Sequence, residues 1–311
     1  MINNLITENV PIDIFAHVLA PQFYQRMLTI DHTIPDQAAY INNQALLDLK
    51  YRQAKQIVAT RQVISMVNLN PEDYVDSEQA LALCWAANEE LAAMAAQNPN
   101  QFIGAVAMVP MNNLAGALKI MTEQVMGNPK LLGIQLFTRA LGKSIATIDY
   151  EPLFAMASTL ALPIWLHPIF DTRKPDNNIV FSWEYELTQA MQQLVLKGVF
   201  QRYPQLKVIV HHAGGMVPFF AGRINAILTP QQARDFHKFF VDTAILGNPL
   251  ALDLTVAFFG ADHVLFGTDA PFGSLPVGAS AMILKAITKM HISDQEKQQI
   301  EFTNALRLLN Q

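Results

Sequence analysis

Short apolar runs recur along the chain, separated by longer stretches of helical periodicity. The runs fall at residues 11–17, 62–69, 102–110, 131–137, 162–168, 206–212, 238–244 and 263–269. Several are apolar nearly throughout, the pattern of parallel strands covered on both faces. Between them the spacing predicts helices over 77–97, 113–126, 149–160, 183–203, 216–228 and 249–259. Ser77 and Asp149 are placed to cap helix N-termini, and Asn-Pro pairs at 98–99, 128–129 and 248–249 punctuate the pattern. Eight strands, each followed by a helix, predict an α/β fold of the (β/α)8 TIM-barrel type. A doubly wound sheet is the competing architecture, but no Gly-rich phosphate loop follows the first strand.

The stretch 21–61 is longer than one crossover helix needs and is expected to form a helical flap over the barrel mouth. The stretch 280–311 reads as C-terminal helices that close the barrel. With no linker, internal repeat or low-complexity tract, the expected organisation is a single domain over 1–311.

Composition narrows the partners. The 311 residues are 51% hydrophobic with a net charge of −5, and no basic patch stands out, so nucleic acid is not expected. No apolar run approaches the length of a membrane span. The N-terminus "MINNLITENV" has neither a positive region nor an apolar core, so no signal peptide is expected. The single cysteine, Cys84, permits no intrachain disulfide and fits a reducing, cytoplasmic setting. It lies in a helical pattern and reads as a small buried hydrophobe. The apolar composition is compatible with a homodimer or simply with a large core.

The polar residues interrupt this pattern at one kind of place. The first strand ends in His17, the fifth in His167, the sixth in His211 and His212, and the eighth in Asp269. In a (β/α)8 barrel the C-terminal strand ends form one rim, where chemistry sits. Four of the chain's eight histidines therefore reach that rim with a carboxylate. Imidazole and carboxylate together suit a divalent metal: zinc, and also manganese, iron or cobalt. Taken singly, each has a plainer reading, a hydrogen-bonded strand-end histidine or an aspartate capping a helix.

The stretches "PIDIFAHVLAP", "LPIWLHP", "VIVHHAGGMVPFFAGRI" and "VLFGTDAPFG" resemble, in order and spacing, the motifs of the amidohydrolase superfamily. The nearest branch is that of aminocarboxymuconate semialdehyde decarboxylase and the γ-resorcylate decarboxylase-like enzymes. The resemblance covers nearly the whole chain, and "HAGG…GR" and "GTDAPFG" are its most specific blocks. It implies a (β/α)8 barrel with one divalent metal, usually zinc, that carries out nonoxidative decarboxylation or hydrolysis. Carried over by position, the metal ligands would be His17, His167 and Asp269. His212 and Asp269 would be catalytic, and Arg223 would support the site electrostatically. The family's strand-one pattern is His-x-His or a variant with an acidic first residue; here Phe15 stands in that first place. A weaker metal site is therefore expected.

Other residues are read from position. Alternation along a strand puts Phe15 and His17 on one face and turns His211 away from His212, toward the helices. Gly214 and Gly215 suit a tight turn. Asp242 is placed to orient a ligand histidine or to bond backbone. Asn68, Asn70, Arg26, Arg52, Arg173, Lys174, Phe181 and Trp183 are candidate substrate contacts or solvated surface; of these, Asn68 and Arg173 are carried forward. The same residues serve decarboxylation of a small carboxylated aromatic or unsaturated acid and hydrolysis by a metal-bound hydroxide. A barrel that binds a small molecule without turnover is the reading that Phe15 leaves open.

Overall fold

Eight parallel strands form one sheet whose order follows the chain. They are β1 (Ile12–Val18), β2 (Arg61–Met66), β3 (Phe102–Ala107), β4 (Leu131–Phe137), β5 (Ile164–His167), β6 (Val208–Val210), β7 (Phe240–Asp242) and β8 (Val264–Leu265). The computed structural model describes residues 10–309. Residues 1–9, which hold most of the N-terminal stretch read above for a leader, lie outside the described residues, as do 310 and 311. The chain that follows β8 joins it to β1. Ile14 N donates to Phe266 O at 2.8 Å, Asp269 N to Phe15 O at 2.9 Å, and Ala16 bridges Ala270 in parallel. The barrel is therefore closed and has no sheet edge to protect.

The apolar strands sort into two cores. An inner cluster takes Ile12, Ile14, Phe15, Val63, Ile103, Val106, Trp165, Ile209 and Leu265 from six of the strands. Ala305, Leu308 and Leu309 of the C-terminal helix plug it, at the end where β6 and β8 begin. The alternate residues, such as Ile64, Leu136, Leu166, Val210 and Val241, belong to the larger outer core under the helices. The Trp165 indole would be costly to bury unpaired; its N–H donates to Ile14 O at 2.9 Å.

The helices Ser77–Gln97 and Pro249–Phe259 lie where periodicity put them. Their neighbours differ in physical detail. Asp76, not Ser77, caps the first helix, its carboxylate accepting from Glu78 N at 3.1 Å and Gln79 N at 2.9 Å. Asp149 caps nothing. It pairs with Lys143 at 2.7 Å, and helix Glu151–Thr159 starts at Tyr150 with no side-chain cap. The segment expected as one helix over 113–126 widens from an α-helix (Leu114–Lys119) to a π-turn (Ile120–Val125). The segment 183–203 breaks at Gly198, whose φ of +66° ends helix Ser182–Leu196 and starts Val199–Arg202.

Between β1 and β2 the chain is helical in pieces, including Pro21–Ile30, Gln44–Leu47 and Leu49–Lys55. Arg52 lies in the last of these. It is buried, and its guanidinium donates to His17 O at 2.5 Å and to Gln62 Oε1 at 2.9 Å. It clamps the end of β1. Gln62 passes the link on to the buried Asp13 at 3.0 Å, which also accepts from Thr268 Oγ at 2.6 Å. Burial pushes the Asp13 carboxyl up to about 6, against those hydrogen bonds and the Arg52 charge. Cys84 is buried, as expected. No helix among the described residues is long and apolar enough to cross a membrane.

Candidate metal centre

His17, His167 and Asp269 converge at the rim where β1, β5 and the segment after β8 end. One ligand atom from each lies within 4.8 Å of the others, and His17 Nε2 is 3.1 Å from Asp269 Oδ1. Inward alternation places them: on β5, Trp165 enters the inner core and His167 follows two residues later. Both histidines are buried and Asp269 is half-buried.

The other ring nitrogen of each histidine is already engaged. His167 Nδ1 lies 2.7 Å from Pro168 O. A carbonyl only accepts, so Nδ1 carries the proton and Nε2 keeps its lone pair. His17 Nδ1 is 3.0 Å from Ser65 Oγ. Burial, with His17 and His211 nearby, holds His167 well below the usual imidazole range, so its ring is neutral. Two imidazoles held by Nδ1, at least one of them neutral, and one carboxylate fit a divalent ion, with ring orientation set from behind. Asp269 itself sits at φ +58°, a left-handed conformation rare outside glycine and found where the surroundings impose it.

Phe15 shares the face of His17, as alternation predicts. Its ring centroid lies 4.8 Å from His17, edge-on, and 5.5 Å from His167. It stacks on His211 at 3.5 Å with 16° between planes. A packed ring thus occupies the place where the resembled pattern has a further donor, as expected.

His211 corrects the alternation argument. It points into the barrel, not toward the helices. Ile209 belongs to the inner core, so residue 211 is the next inward position. His212 reaches the same region because the chain leaves the strand there: His212 has φ +53° and Ala213 φ +56°, which resets the alternation. Each histidine has its own carboxylate. His211 Nδ1 is 2.7 Å from Asp242 Oδ2, and Asp242 Oδ1 accepts from His212 N at 2.9 Å. His212 Nδ1 is 2.8 Å from Glu184 Oε1. The Nε2 atoms of both rings are buried and, among the described residues, without a hydrogen-bond partner. Burial holds His211 well below the imidazole range. Burial also works against the charge on His212, but Glu184, with Asp269 and Asp242 beyond, raises it to about 9.

Aromatic side chains surround these groups. Trp183 lies 6.0 Å from both His167 and His212, Phe137 5.5 Å from His167, and Phe272 5.8 Å from His17. Trp183 therefore borders the site, while Phe181, two residues earlier, is 65% exposed. Asn68 is half-buried, its Nδ2 3.4 Å from Pro168 O and its Oδ1 without a partner. Arg173 is engaged by its own loop, where Nε and Nη2 each meet Asp171 at 2.8 Å. Lys174 pairs with Glu186. Arg223 is exposed, on helix Ala221–Ile227, and makes no hydrogen bond or ion pair among the described residues. The helix it rides on turns Arg223 to solvent. Glu184 was missed; nothing near it in sequence marks it, and its partner lies 28 residues away.

A family model described as amidohydrolase matches residues 42–311. The chain is 27% identical to 6-methylsalicylic acid decarboxylase of Penicillium expansum, over 96% of this chain and 95% of that one. It is 28% identical to 2-amino-3-carboxymuconate-6-semialdehyde decarboxylase of Dictyostelium discoideum, over 80% and 72%. The crystal structure of a dihydroxybenzoic acid decarboxylase from a Polaromonas species, with bound manganese and the inhibitor 2-nitroresorcinol, superposes with a TM-score of 0.79. That match is at 21% identity and covers 97% of both chains.

Proposed function

The chain belongs to the amidohydrolase family, on the carboxymuconate-semialdehyde decarboxylase branch, and we propose that it carries out nonoxidative decarboxylation of a small aromatic carboxylic acid. The observation that carries this reading is the convergence of the His17, His167 and Asp269 donors beneath a wall of aromatic rings. Both curated relatives are named as decarboxylases. His17 and His167, through Nε2, and the Asp269 carboxylate would hold one divalent ion. Manganese, as in the solved relative, zinc and iron all suit two imidazoles and a carboxylate. When bound, the ion would polarise substrate oxygens and stabilise negative charge as it develops.

The remaining steps fall to the chain's own residues. Trp183, Phe137 and Phe272 offer apolar faces for a flat ring and keep water from the reacting carbon. Asn68 is the polar side chain beside them. As the bond between ring and carboxyl carbon breaks, its electron pair stays on the ring carbon and CO2 leaves. His212 supplies from Nε2 the proton that takes its place. The Glu184 carboxylate favours the protonated ring that a donor needs. Asp242 fixes His211 and the backbone of His212.

The test is release of CO2 from a panel of hydroxylated and alkylated benzoic acids and muconate-type acids. Protein loaded with manganese or zinc is compared with a His212→Asn variant. The reading predicts stoichiometric CO2 and decarboxylated product from at least one acid, and loss of both in the variant. Cleavage of an ester, amide or lactone panel with no CO2 from any acid would replace it with hydrolysis. Saturable binding of an acid without turnover would replace it with a binding barrel.

A further inference from the structure

We propose that Glu184 is the positioning residue for proton transfer, holding His212 by Nδ1 so that Nε2 faces the reacting carbon. The inference rests on the reading of His212 as the proton donor. Its footing is geometric. A carboxylate only accepts, so a 2.8 Å contact to Nδ1 keeps a proton there in both charge states of the ring and leaves Nε2 as the exchanging atom. His212 Nε2 is buried and has no hydrogen-bond partner among the described residues.

The backbone is arranged to bring the two together. Helix Ser182–Leu196 presses its first turn onto the loop after β6. A Cβ at Gly215 would lie 2.6 Å from Glu184 O and 2.8 Å from Thr188 Oγ. Residue 215 must therefore be glycine for the approach to occur, and its φ of +63° adds to that demand. Thr188 Oγ donates to Glu184 O at 2.7 Å and accepts from Met216 N at 2.9 Å, which stitches the helix turn to the histidine loop. His212 and Ala213, at φ +53° and +56°, hold a left-handed conformation that costs roughly 1–3 kcal/mol each and persists where the surroundings impose it. The neighbouring residue, Trp183, packs against His212 from the same turn.

The groups that face His212 are Glu184 from this helix, Asp242 from β7, Asp269 beyond β8, and the rings of His211 and His167. Asp242 bonds its backbone N–H, not its ring. Among the described residues, Glu184 alone bonds the ring itself.

The test follows the imidazole nitrogens by 15N NMR on the full chain loaded with zinc, beside steady-state pH profiles, for wild type and Glu184→Gln. The wild-type ring is expected to keep a hydrogen-bonded Nδ1–H and to exchange its proton at Nε2. In Glu184→Gln the midpoint should fall by at least about one pH unit. The alkaline limb of kcat should move with it, and kcat near neutral pH should drop roughly 10–100-fold while KM changes less than about threefold. An unmoved midpoint and an unmoved alkaline limb would overturn the assignment, even with a lowered melting temperature, because that is the signature of a merely structural residue. Should Glu184→Gln fail to fold, Glu184→Asp decides. It keeps the charge on a shorter arm, so the midpoint should stay high while kcat falls; wild-type kcat in that variant overturns the proposal. If the wild type decarboxylates no acid, the function reading fails while the NMR arm still settles the dyad.

Discussion

His211 and His212 are consecutive residues with the same kind of partner and opposite electrostatics. Each bonds a carboxylate through Nδ1, at 2.7 and 2.8 Å, and each keeps a buried, partnerless Nε2. Burial takes His211 well below the imidazole range, while His212 stands at about 9. The carboxylates differ in setting. The Asp242 side chain is fully buried and pushed up by that burial to about 6, so it is a weak anion for its neighbour. The Glu184 side chain is 22% exposed at a helix start and retains part of its hydration. A hydrogen bond of given length thus says little about which form of a ring it favours; the solvation of the partner decides. One pair makes a neutral prop beneath the site, the other a cation at its edge.

The sharpest way to break this comparison is Asp242→Ala. It strips an acceptor from His211 Nδ1, His212 N and Ala244 N at once. Urea unfolding should show a loss of about 1–3 kcal/mol for each stranded donor. The pH dependence of thermal melting should then separate the pairs by sign. His211 and His167 are depressed, so their contribution is present above about pH 6.5 and is lost as pH falls. His212 is raised, so its contribution is present below about pH 6.5 and is lost as pH rises toward 9. Metal-free wild type should lose stability as pH rises from about 6.5 toward 9, and Glu184→Gln should flatten that loss. A smaller effect is expected at Phe15. Phe15→His replaces the ring that stacks on His211 with a donor beside His17, and manganese affinity by titration calorimetry should rise about tenfold, or ~1.4 kcal/mol. The smallest is Arg223→Ala, exposed and unpaired among the described residues, whose unfolding free energy should stay within about 0.5 kcal/mol of wild type.

Much of this was legible in the chain. The barrel follows from eight apolar runs, and the positions of His17, His167 and Asp269 follow from where those runs end, because a buried strand must change chemistry at its rim. What stayed hidden shares a cause. The His212–Glu184 pair, the Arg52 clamp on His17 O and the Asp13–Thr268 link join residues far apart in sequence, and each satisfies a buried polar group that local pattern cannot see. The side on which His211 lies was misread because the alternation rule ends where the backbone turns left-handed at His212.

The central claim is that His17, His167 and Asp269 form a metal site despite Phe15. Elemental analysis of protein incubated with manganese, zinc and iron and then dialysed, beside an Asp269→Ala variant, tests it most directly. The account predicts about one divalent ion per chain in the wild type and its loss in the variant. No retained ion in the wild type, or equal retention in the variant, would contradict it.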